Sequence, residues 1–257
     1  MILAGSVTVN GVVVDRPSLE VRDEDVLLVA PDADPYVSRG ARKIAGALAR
    51  FEPQGLSVRG RMCLDAGAST GGFTQMLLER GAAGVLAVDV GHGQLAASVS
   101  GDPRVTSREG VNVRDLPPPG PGAAVQLLVA DLSFISLELV VPALAAWLEP
   151  GGDALLLVKP QFEVGAARLG KGGVVRDLAA RAEAVAKVAR AMEGSGLSVC
   201  GVARSPLSGA DGNVEIFIWG RKTWQAGDGA HGPSAAPPAL DSAAISRAID
   251  REVKGAP

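Results

Sequence analysis

From residue 60 onward, short apolar runs alternate with longer segments in which apolar positions follow helical spacing. Short apolar runs are typical of buried strands, and helical spacing is typical of amphipathic helices. The pattern predicts strands near residues 61–66, 84–89, 103–107, 125–131, 153–159, 197–204 and 214–219. It predicts helices near residues 72–80, 93–99, 136–148 and 178–194. This alternation indicates a Rossmann-like α/β domain whose seven-stranded, mostly parallel sheet is covered by helices on both faces.

The last predicted strand, residues 214–219, follows the preceding strand after only a short turn at 208–213. That connection is too short for a helical crossover, so we expect this strand to be antiparallel. A further helix is predicted before the sheet, with Ser38 as a candidate N-cap. Its apolar residues share one helical face: Ile44, Ala47, Leu48 and Phe51. Lys43 lies beside that face.

Smaller pieces are predicted at both ends of the chain. The Asn10-Gly11 pair lies between two short apolar runs, which strongly favours a β-hairpin. A module of about thirty residues cannot build a core of its own. We expect a small β module at 1–30, a linker at 31–35, the main domain at 36–222, a Gly-, Ala- and Pro-rich linker at 223–238 and a C-terminal helical segment at 239–257.

The composition suits a cytoplasmic enzyme. The chain of 257 residues has no apolar run close to the ~20 residues that a membrane helix needs. Its first residues lack the features of a signal peptide. Cys63 and Cys200 lie in apolar, strand-like runs, which favours reduced core residues. Two histidines and two scattered cysteines form no zinc-ligand pattern. The sequence therefore implies neither a membrane partner nor a required metal.

Charge is unevenly distributed along a chain with a net charge of −3. Acidic residues dominate residues 1–35, whereas cations dominate residues 36–61. The cations of that basic stretch are Arg39, Arg42, Lys43, Arg50, Arg59 and Arg61. A local basic patch can bind phosphates on a protein that is acidic as a whole. The alternative is a solvated helix face.

A loop of small residues follows the first strand of the main domain. Residues 63–74 read as a buried strand, a turn rich in glycine and a helix start. Small residues let a ligand approach the backbone, and the first N–H groups of the helix point toward it. Asp89 ends the next strand, where a carboxylate can accept from ribose hydroxyls. Together these features predict a cofactor that contains a nucleoside.

Two later strands also end in charged residues. Asp131 follows the apolar run at 127–130, and Lys159 follows the run at 155–158. Ligands in open α/β sheets bind beyond the carboxyl ends of the strands, so both residues should face the small-residue loop. Glu215 lies near the start of the antiparallel strand and returns to the same edge. The alternative for Lys159 is a lysine that leaves the core for solvent.

Four charged residues in this order resemble the Lys-Asp-Lys-Glu tetrad of FtsJ-like ribose 2′-O-methyltransferases: Lys43, Asp131, Lys159 and Glu215. The chain is most similar to the TlyA family, also named haemolysin A. The resemblance covers nearly the whole chain and rests on residues 37–43, 64–74, 131–136, 158–164, 172–175 and 212–215.

The resemblance implies S-adenosylmethionine as the methyl donor. The loop would hold its methionine part, Asp89 its ribose hydroxyls, and Asn112 would lie near its adenine. The implied cofactor-binding set is Asp65, Gly67, Ala68, Ser69, Gly71, Gly72, Phe73, Asp89, Asn112 and Asp131. Family members methylate the 2′-hydroxyl of cytidines in ribosomal RNA, in both subunits or in the large subunit alone. The implied partner is therefore ribosomal RNA.

A ribose hydroxyl must lose its proton as it attacks a sulfonium methyl group in line. A neutral lysine can accept that proton, and burial beside a positive charge favours the neutral form. We hypothesise that Lys159 is the general base. In this hypothesis Asp131 and Lys43 position the base and the hydroxyl, and Glu215 orients the group.

Candidate RNA contacts surround these residues. Arg39 and Arg42 belong to the basic stretch, and Lys171 lies in a glycine-rich segment at 165–173. Phe134 and Phe162 flank the predicted site, where either ring could stack on an extruded base. The alternatives are core packing for the rings and a plain surface loop for the segment.

The chain differs from the family pattern in one respect, and two other functions compete with the one that the resemblance implies. Family members begin with an S4-like RNA-binding module, and residues 1–30 resemble only its latter part, which predicts a truncated module or a misassigned start. A catalytically silent RNA-binding relative is the alternative function. A nicotinamide-dependent dehydrogenase is disfavoured because its loop would read Gly-x-Gly-x-x-Gly, whereas Gly71 and Gly72 follow Gly67 here.

Overall fold

A computed structural model describes residues 2, 6–30, 34–120, 122–165, 168–170, 172–209, 211–224 and 238–254. The chain divides into two compact units, Met1–Val37 and Ser38–Pro257. Most of the predicted linkers at 31–35 and 223–238 lies outside the described residues, and so does Lys171. No helix in the described ranges is both long enough and apolar enough to cross a bilayer.

The first unit contains a three-stranded antiparallel sheet in the order β2-β1-β3. Its strands are β1 Val7–Val9, β2 Val12–Val13 and β3 Leu27–Val29. The predicted hairpin is confirmed: Asn10 and Gly11 have φ angles of 52° and 79°, as the mirror-image turn between twisted strands requires. The amide of Asn10 also donates to Asp25 at 2.8 Å and accepts the Val26 N–H at 2.9 Å.

The second unit contains a seven-stranded sheet in the order β6-β5-β4-β7-β8-β10-β9. Its strands are β4 Met62–Ala66, β5 Gly84–Val88, β6 Val105–Arg108, β7 Val125–Ala130, β8 Leu148–Val158, β9 Leu197–Arg204 and β10 Ile216–Lys222. Strands β6, β5, β4, β7 and β8 pair in parallel, whereas β10 pairs antiparallel with both β8 and β9. The predicted sheet, including its antiparallel last strand, is confirmed.

Helices cover both faces of this sheet. They are α1 Arg39–Phe51, α2 Gly72–Glu79, α3 Ala97–Ser100, α4 Leu137–Trp147, α5 Pro160–Glu163, α6 Leu178–Gly194 and α7 Ser242–Lys254. The larger core cluster joins one face of the sheet to α4, α6 and α7. On the other face α1 buries its predicted apolar stripe completely, and the Phe51 ring lies 5.5 Å from that of Trp219.

Three local predictions differ from the structure. Ser38 occupies the N-cap position of α1, but its side chain makes no capping hydrogen bond. The helix predicted at 93–99 begins only at Ala97. Strand β8 begins at Leu148, directly after α4, because Leu148 already pairs with Val125 before a register shift leads to Asp153.

Candidate active site

The order of the parallel strands reverses between β4 and β7, because β5 and β6 lie on one side of β4 and β7 and β8 on the other. In open α/β sheets the crevice at such a reversal, outside the carboxyl ends of the strands, is where ligands bind. The residues that follow β4, β5, β7 and β8 therefore define the candidate site. All of the charged strand-end residues predicted above, apart from Glu215, lie in these positions.

Close backbone packing explains the glycines that follow β4. Gly67 has a φ of 85°, and a Cβ atom at this position would lie 2.7 Å from the backbone oxygen of Asp131. A Cβ atom on Gly72 would lie 2.2 Å from Oγ of Ser38, at the start of α1. Only glycine therefore lets the loop meet the end of β7 and the start of α1. Ser69 also has a positive φ, 49°, which is unfavourable for a residue with a side chain.

The carboxylate of Asp89 binds backbone N–H groups of the small-residue loop and of the segment that follows β5. Its Oδ2 accepts the Ser69 N–H at 2.8 Å, and its Oδ1 accepts the Gly91 N–H at 2.7 Å. Glu109 accepts the N–H groups of Gly93 and Gln94 at 2.7 and 3.2 Å, and these hydrogen bonds lower the pKa of Glu109. Because two carboxylates hold this segment as a loop, the helix predicted from residue 93 starts later.

A cavity of about 480 Å³ lies between these segments. Its walls combine apolar side chains with a few polar groups, as is typical of small-molecule sites. The lining residues are Gly67, Ser69, Asp89, Val90, Gln94, Val111, Asn112, Val113, Asp131, Leu132, Ser133, Phe134 and Ile135. Asn112 is exposed and accepts the Arg114 N–H at 3.0 Å through its side chain.

A smaller cavity of about 180 Å³ adjoins the first one. It is lined by Ser38, Gly40, Gly67, Ala68, Ser69, Thr70, Gly72, Phe73, Asp131, Ser133 and Lys159. Four residues line both cavities: Gly67, Ser69, Asp131 and Ser133. These residues therefore lie between the larger cavity and the smaller cavity, and the smaller cavity also reaches Lys159.

Lys159 does not leave the core for solvent. The residue is 9% exposed, and its Nζ lies 2.7 Å from Oδ1 of Asp131. The same nitrogen donates to Oγ of Ser133 at 2.8 Å. The nitrogen of Lys159 is therefore held by two side chains that, like Lys159 itself, line the smaller cavity.

Lys43 and Glu215 form a second buried ion pair. Nζ of Lys43 lies 2.6 Å from Oε2 of Glu215, and Glu215 is 2% exposed. The sheet register pairs Ile216 with Val158, so Glu215, directly before β10, lies opposite Lys159, directly after β8. The four residues singled out from the sequence therefore form two lysine–carboxylate pairs at adjacent strand ends.

Asp65 lies beneath the glycine loop. Asp65 is completely buried. In the described part of the chain, neither Asp65 nor Gly71 lines either cavity. Thr74 of α2 donates to Oδ2 of Asp65 at 2.7 Å, while Oδ1 has no hydrogen-bond partner among the described residues. Burial raises the pKa of this carboxyl to about 7. These contacts indicate that Asp65 supports the glycine loop from the protein interior.

The candidate RNA contacts differ in their surroundings. Phe134 is 90% exposed, so it is not a core residue, and its ring lies 5.1 Å from that of Phe162. Phe134 also has a φ of 64°. Arg39 and Arg42 are exposed on α1, and Arg39 donates to the Ser208 carbonyl at 2.9 Å. Exposure of this kind leaves these side chains accessible to a macromolecule.

Two residues near the site were missed in the sequence. Ser133, which holds Lys159, follows Asp131 by two positions, and that spacing alone does not distinguish it from a loop serine. Glu163 is buried and accepts from the Ser136 hydroxyl at 2.5 Å and from the Leu137 N–H at 2.8 Å. It thereby joins the segment after β7 to the segment after β8, a long-range contact with no local signal.

The sheet order, the glycine loop and the acid at the end of β5 define a Rossmann-like methyltransferase. A structure of an S-adenosylmethionine-dependent methyltransferase from Mesorhizobium loti shares this fold, with a TM-score of 0.51 and 18% identity over 68% of this chain and 96% of that chain. A solved structure from Streptococcus thermophilus, described as a hemolysin candidate, has a TM-score of 0.76 and 36% identity, and covers 98% of this chain and 88% of that chain.

Sequence comparison narrows the class. The FtsJ-like methyltransferase family profile matches residues 36–222. The chain is 51% identical over 220 residues to the 16S/23S rRNA (cytidine-2′-O)-methyltransferase TlyA of Mycobacterium tuberculosis, a match that spans 85% of this chain and 81% of that protein. The chain belongs to the TlyA family of FtsJ-like methyltransferases. The likeness of residues 1–30 to an S4 module stays a prediction.

Proposed function

We propose that this protein transfers a methyl group from S-adenosylmethionine to the ribose 2′-hydroxyl of cytidines in ribosomal RNA. The 51% identity to an rRNA (cytidine-2′-O)-methyltransferase supports this substrate. The observation that carries the chemistry is the pair formed by Lys159 and Asp131, which both line the smaller cavity, while Asp131 also lines the cavity of nucleoside size. The buried pair formed by Lys43 and Glu215 lies at the next strand end.

The lining of the larger cavity fits the nucleoside part of S-adenosylmethionine. Asp89 offers a carboxylate at the end of β5, where ribose hydroxyls are commonly bound. Val90, Val111 and Ile135 offer apolar surface for a flat adenine ring, with Asn112 at the rim. When bound, this cofactor supplies an electrophilic methyl group on a positively charged sulfur. Its methionine part would be held by the loop residues that line the smaller cavity.

Lys159 would act in its neutral form: its ammonium group first releases one proton to solvent, and the resulting amine then accepts the proton of the attacking 2′-hydroxyl. Asp131 and Ser133 fix its nitrogen at 2.7 and 2.8 Å, which sets the direction in which the amine meets the ribose. General-base assistance contributes roughly 10² to 10⁴ to a rate. Alignment of the hydroxyl contributes much of the remainder.

Lys43 and Glu215 would complete the polar surface around the hydroxyl. The Lys43 ammonium can stabilise negative charge that develops on the ribose oxygen as the proton leaves. Glu215 holds this ammonium at 2.6 Å and so keeps it on the side of Lys159. The pair would position the hydroxyl without itself taking the proton.

Phe134 would bind the base of the target nucleotide or of its neighbour. An exposed aromatic ring provides a stacking surface for any base, and a target nucleotide in a helix must be extruded before its ribose is reached. Backbone strain is concentrated at functional residues, and Phe134 has such a conformation. Arg39 and Arg42 would bind nearby phosphates.

The decisive experiment compares Lys159→Ala with Lys254→Ala, a control lysine on α7 whose side chain is 59% exposed. We expect Lys159→Ala to lose methyl transfer from tritiated S-adenosylmethionine to ribosomal RNA and to keep cofactor binding by calorimetry. The control should keep both. Turnover retained in Lys159→Ala removes Lys159 from the role of base.

The identity of the substrate is tested separately in a strain that lacks the gene. Mass spectrometry of its ribosomal RNA should show an unmethylated cytidine ribose that the purified enzyme then methylates. Identical ribose methylation in the presence and absence of the gene would contradict the proposed function and favour a catalytically silent relative.

A further inference from the structure

A second groove, of about 250 Å³, lies away from the two cavities of the active site, between α1, the edge strand β9 and α7. Its charged lining residues are Arg50 of α1 and Arg247 and Arg251 of α7, and we call it the arginine groove. We propose that the arginine groove binds the phosphodiester backbone of the RNA substrate outside the catalytic pocket. This inference rests on the proposed function, because it assigns a second contact to the same RNA.

The charge of the arginine groove is one-sided. No carboxylate lines it in the described part of the chain. Among the described residues, neither Arg50 nor Arg247 has an ion-pair partner, and Arg251 contacts Glu252 through Nε at 3.0 Å. The chain as a whole has a net charge of −3, so the gathering of three guanidinium groups in one concavity, two of them without an ion-pair partner among the described residues, is not a consequence of a basic composition.

The walls of the arginine groove are packed elements. Arg247 and Arg251 are one helical turn apart on α7, so their side chains project from the same side of the helix. The opposite side of α7 is fixed to the core by Ile245 and Ile249, which are buried. Glu252 also accepts the backbone N–H of Arg204 at 3.0 Å, which ties α7 to β9. Planar guanidinium groups on rigid elements match the geometry of phosphate oxygens.

The position of Arg50 connects the arginine groove to the catalytic lysines. Lys43 and Arg50 are seven residues apart on α1, so they lie on one face of the helix about 10 Å apart along its axis. Arg39 lies one turn before Lys43 on the same side. An RNA strand whose ribose reaches Lys43 can therefore continue along α1, with its phosphates next to Arg50 and α7.

The test compares Arg247→Gln with Arg190→Gln, which removes an exposed arginine of α6 that lies outside the groove and outside the basic stretch, and that has no ion-pair partner among the described residues. The probe is a fluorescent single-stranded RNA of about twenty nucleotides, measured by anisotropy at several salt concentrations. Each phosphate contact contributes about −0.7 to the slope of log affinity against log salt for single strands. Arg247→Gln should weaken binding about tenfold at low salt and reduce that slope by about 0.7. Arg190→Gln should leave both unchanged, and Arg247→Lys should keep the slope.

Methyl-transfer kinetics provide the second readout. With naked ribosomal RNA, Arg247→Gln should raise KM for RNA and leave kcat and KM for S-adenosylmethionine unchanged. Equal affinity and equal salt slope for Arg247→Gln and Arg190→Gln would overturn the proposal even if the unchanged enzyme methylates ribosomal RNA. A defect seen with intact ribosomal subunits but not with naked RNA would also overturn it, because the groove would then contact a ribosomal protein.

The two proposals fail in different ways. If the unchanged enzyme transfers no methyl group to ribosomal RNA, the proposed function fails, whereas the anisotropy measurement still reports on the arginine groove. Arg247 is exposed and lies on the outer side of α7, so the variants should keep the unfolding temperature of the unchanged protein. That measurement separates a lost phosphate contact from a damaged fold.

Discussion

The nitrogen of Lys159 lies between the carboxylate of Asp131 and the hydroxyl of Ser133. A lysine directly after four apolar residues predicts a strand end at which a charge is needed, and the structure places its nitrogen 2.7 Å from Asp131. The partner Ser133 could not be predicted, because a serine that holds a lysine and a serine in a turn have the same local sequence. The roles assigned to the four charged residues stay predictions until the variants are measured.

The backbone of Phe134 gives a prediction that separates strain from contact. Glycine at this position should relieve the cost of a φ of 64°, whereas alanine should keep that cost. We expect Phe134→Gly to be about 1 kcal/mol more stable than Phe134→Ala in denaturant unfolding. Both variants lose the exposed ring, so both should lose methyl transfer to ribosomal RNA to a similar extent. If Phe134→Ala methylates RNA at the full rate, the ring does not contact the base.

The buried carboxyl of Asp65 predicts an unusual dependence of stability on pH. Its pKa is about 7 in the folded protein because of burial, against 3.8 for an exposed aspartate. Between these values the folded state retains a proton that the unfolded state has lost. The free energy of unfolding should therefore fall as pH rises from about 4 to about 7, on the order of 3 kcal/mol.

In the Asp65→Asn variant the free energy of unfolding should not show this fall. The difference in free energy of unfolding between the variant and the unchanged protein should therefore shift in favour of the variant between pH 4.5 and pH 8. Denaturant unfolding at both pH values measures it. Asp102→Asn is the control, because Arg104 lowers the pKa of Asp102 to about 2 and this residue does not titrate in that range. Parallel stability curves for Asp65→Asn and the unchanged protein would show that Asp65 is ionised throughout.

At the scale of elements, Glu163 connects two segments that carry catalytic candidates. Its carboxylate accepts the Ser136 hydroxyl and the N–H of Leu137 at the start of α4, while its own helix, α5, follows Lys159 directly. Glu163 thus fixes the segment with Asp131 relative to the segment with Lys159. Burial raises the pKa of Glu163, and the hydrogen bonds partly offset this effect.

Glu163→Ala should destabilise the protein by about 2–3 kcal/mol, because two donors lose their acceptor in a buried place. It should also lower kcat more than it changes KM for S-adenosylmethionine. Glu183→Ala is the control, since Glu183 pairs with Arg168 on the surface and should cost at most about 0.5 kcal/mol. Unchanged kcat in a folded Glu163→Ala protein would show that the segments keep their geometry without it.

Periodicity predicted the elements of the larger unit well where burial decides the structure. The seven strands and the helices α1, α2, α4 and α6 lie close to their predicted positions, and all of these elements except the exposed edge strand β6 bury an apolar run or face. The prediction failed at α3, where carboxylates of Asp89 and Glu109 hold the backbone as a loop. Such side-chain contacts arise from tertiary structure and leave no periodic signal.

At the scale of the molecule, the two units differ in how they bury apolar residues. The second unit contains the large core, whereas the strands β2 and β3 of the first unit expose their apolar side chains. These exposed residues are Val12, Val13, Leu27, Leu28 and Val29. The first unit therefore has too little buried apolar surface for independent stability.

We expect a fragment of residues 38–257 to fold alone and to keep the main unfolding transition within about 2 °C, because its core comes from this unit alone. Calorimetry of the fragment and of the full chain measures this. A fragment of residues 1–37 should show no cooperative transition. A large loss of stability in the longer fragment would show that its core depends on the first unit.

Strand β10 is the last strand of the sheet in sequence, yet it lies between β8 and β9. It brings Glu215 to Lys43, from the first helix of the unit, across most of the chain. Such distant pairings form late, because loop closure must precede them. During synthesis Lys43 of α1 therefore lacks its acidic neighbour until this strand has left the ribosome and inserted. A growing chain would thus gain its methylating capacity only once nearly the whole domain has been made.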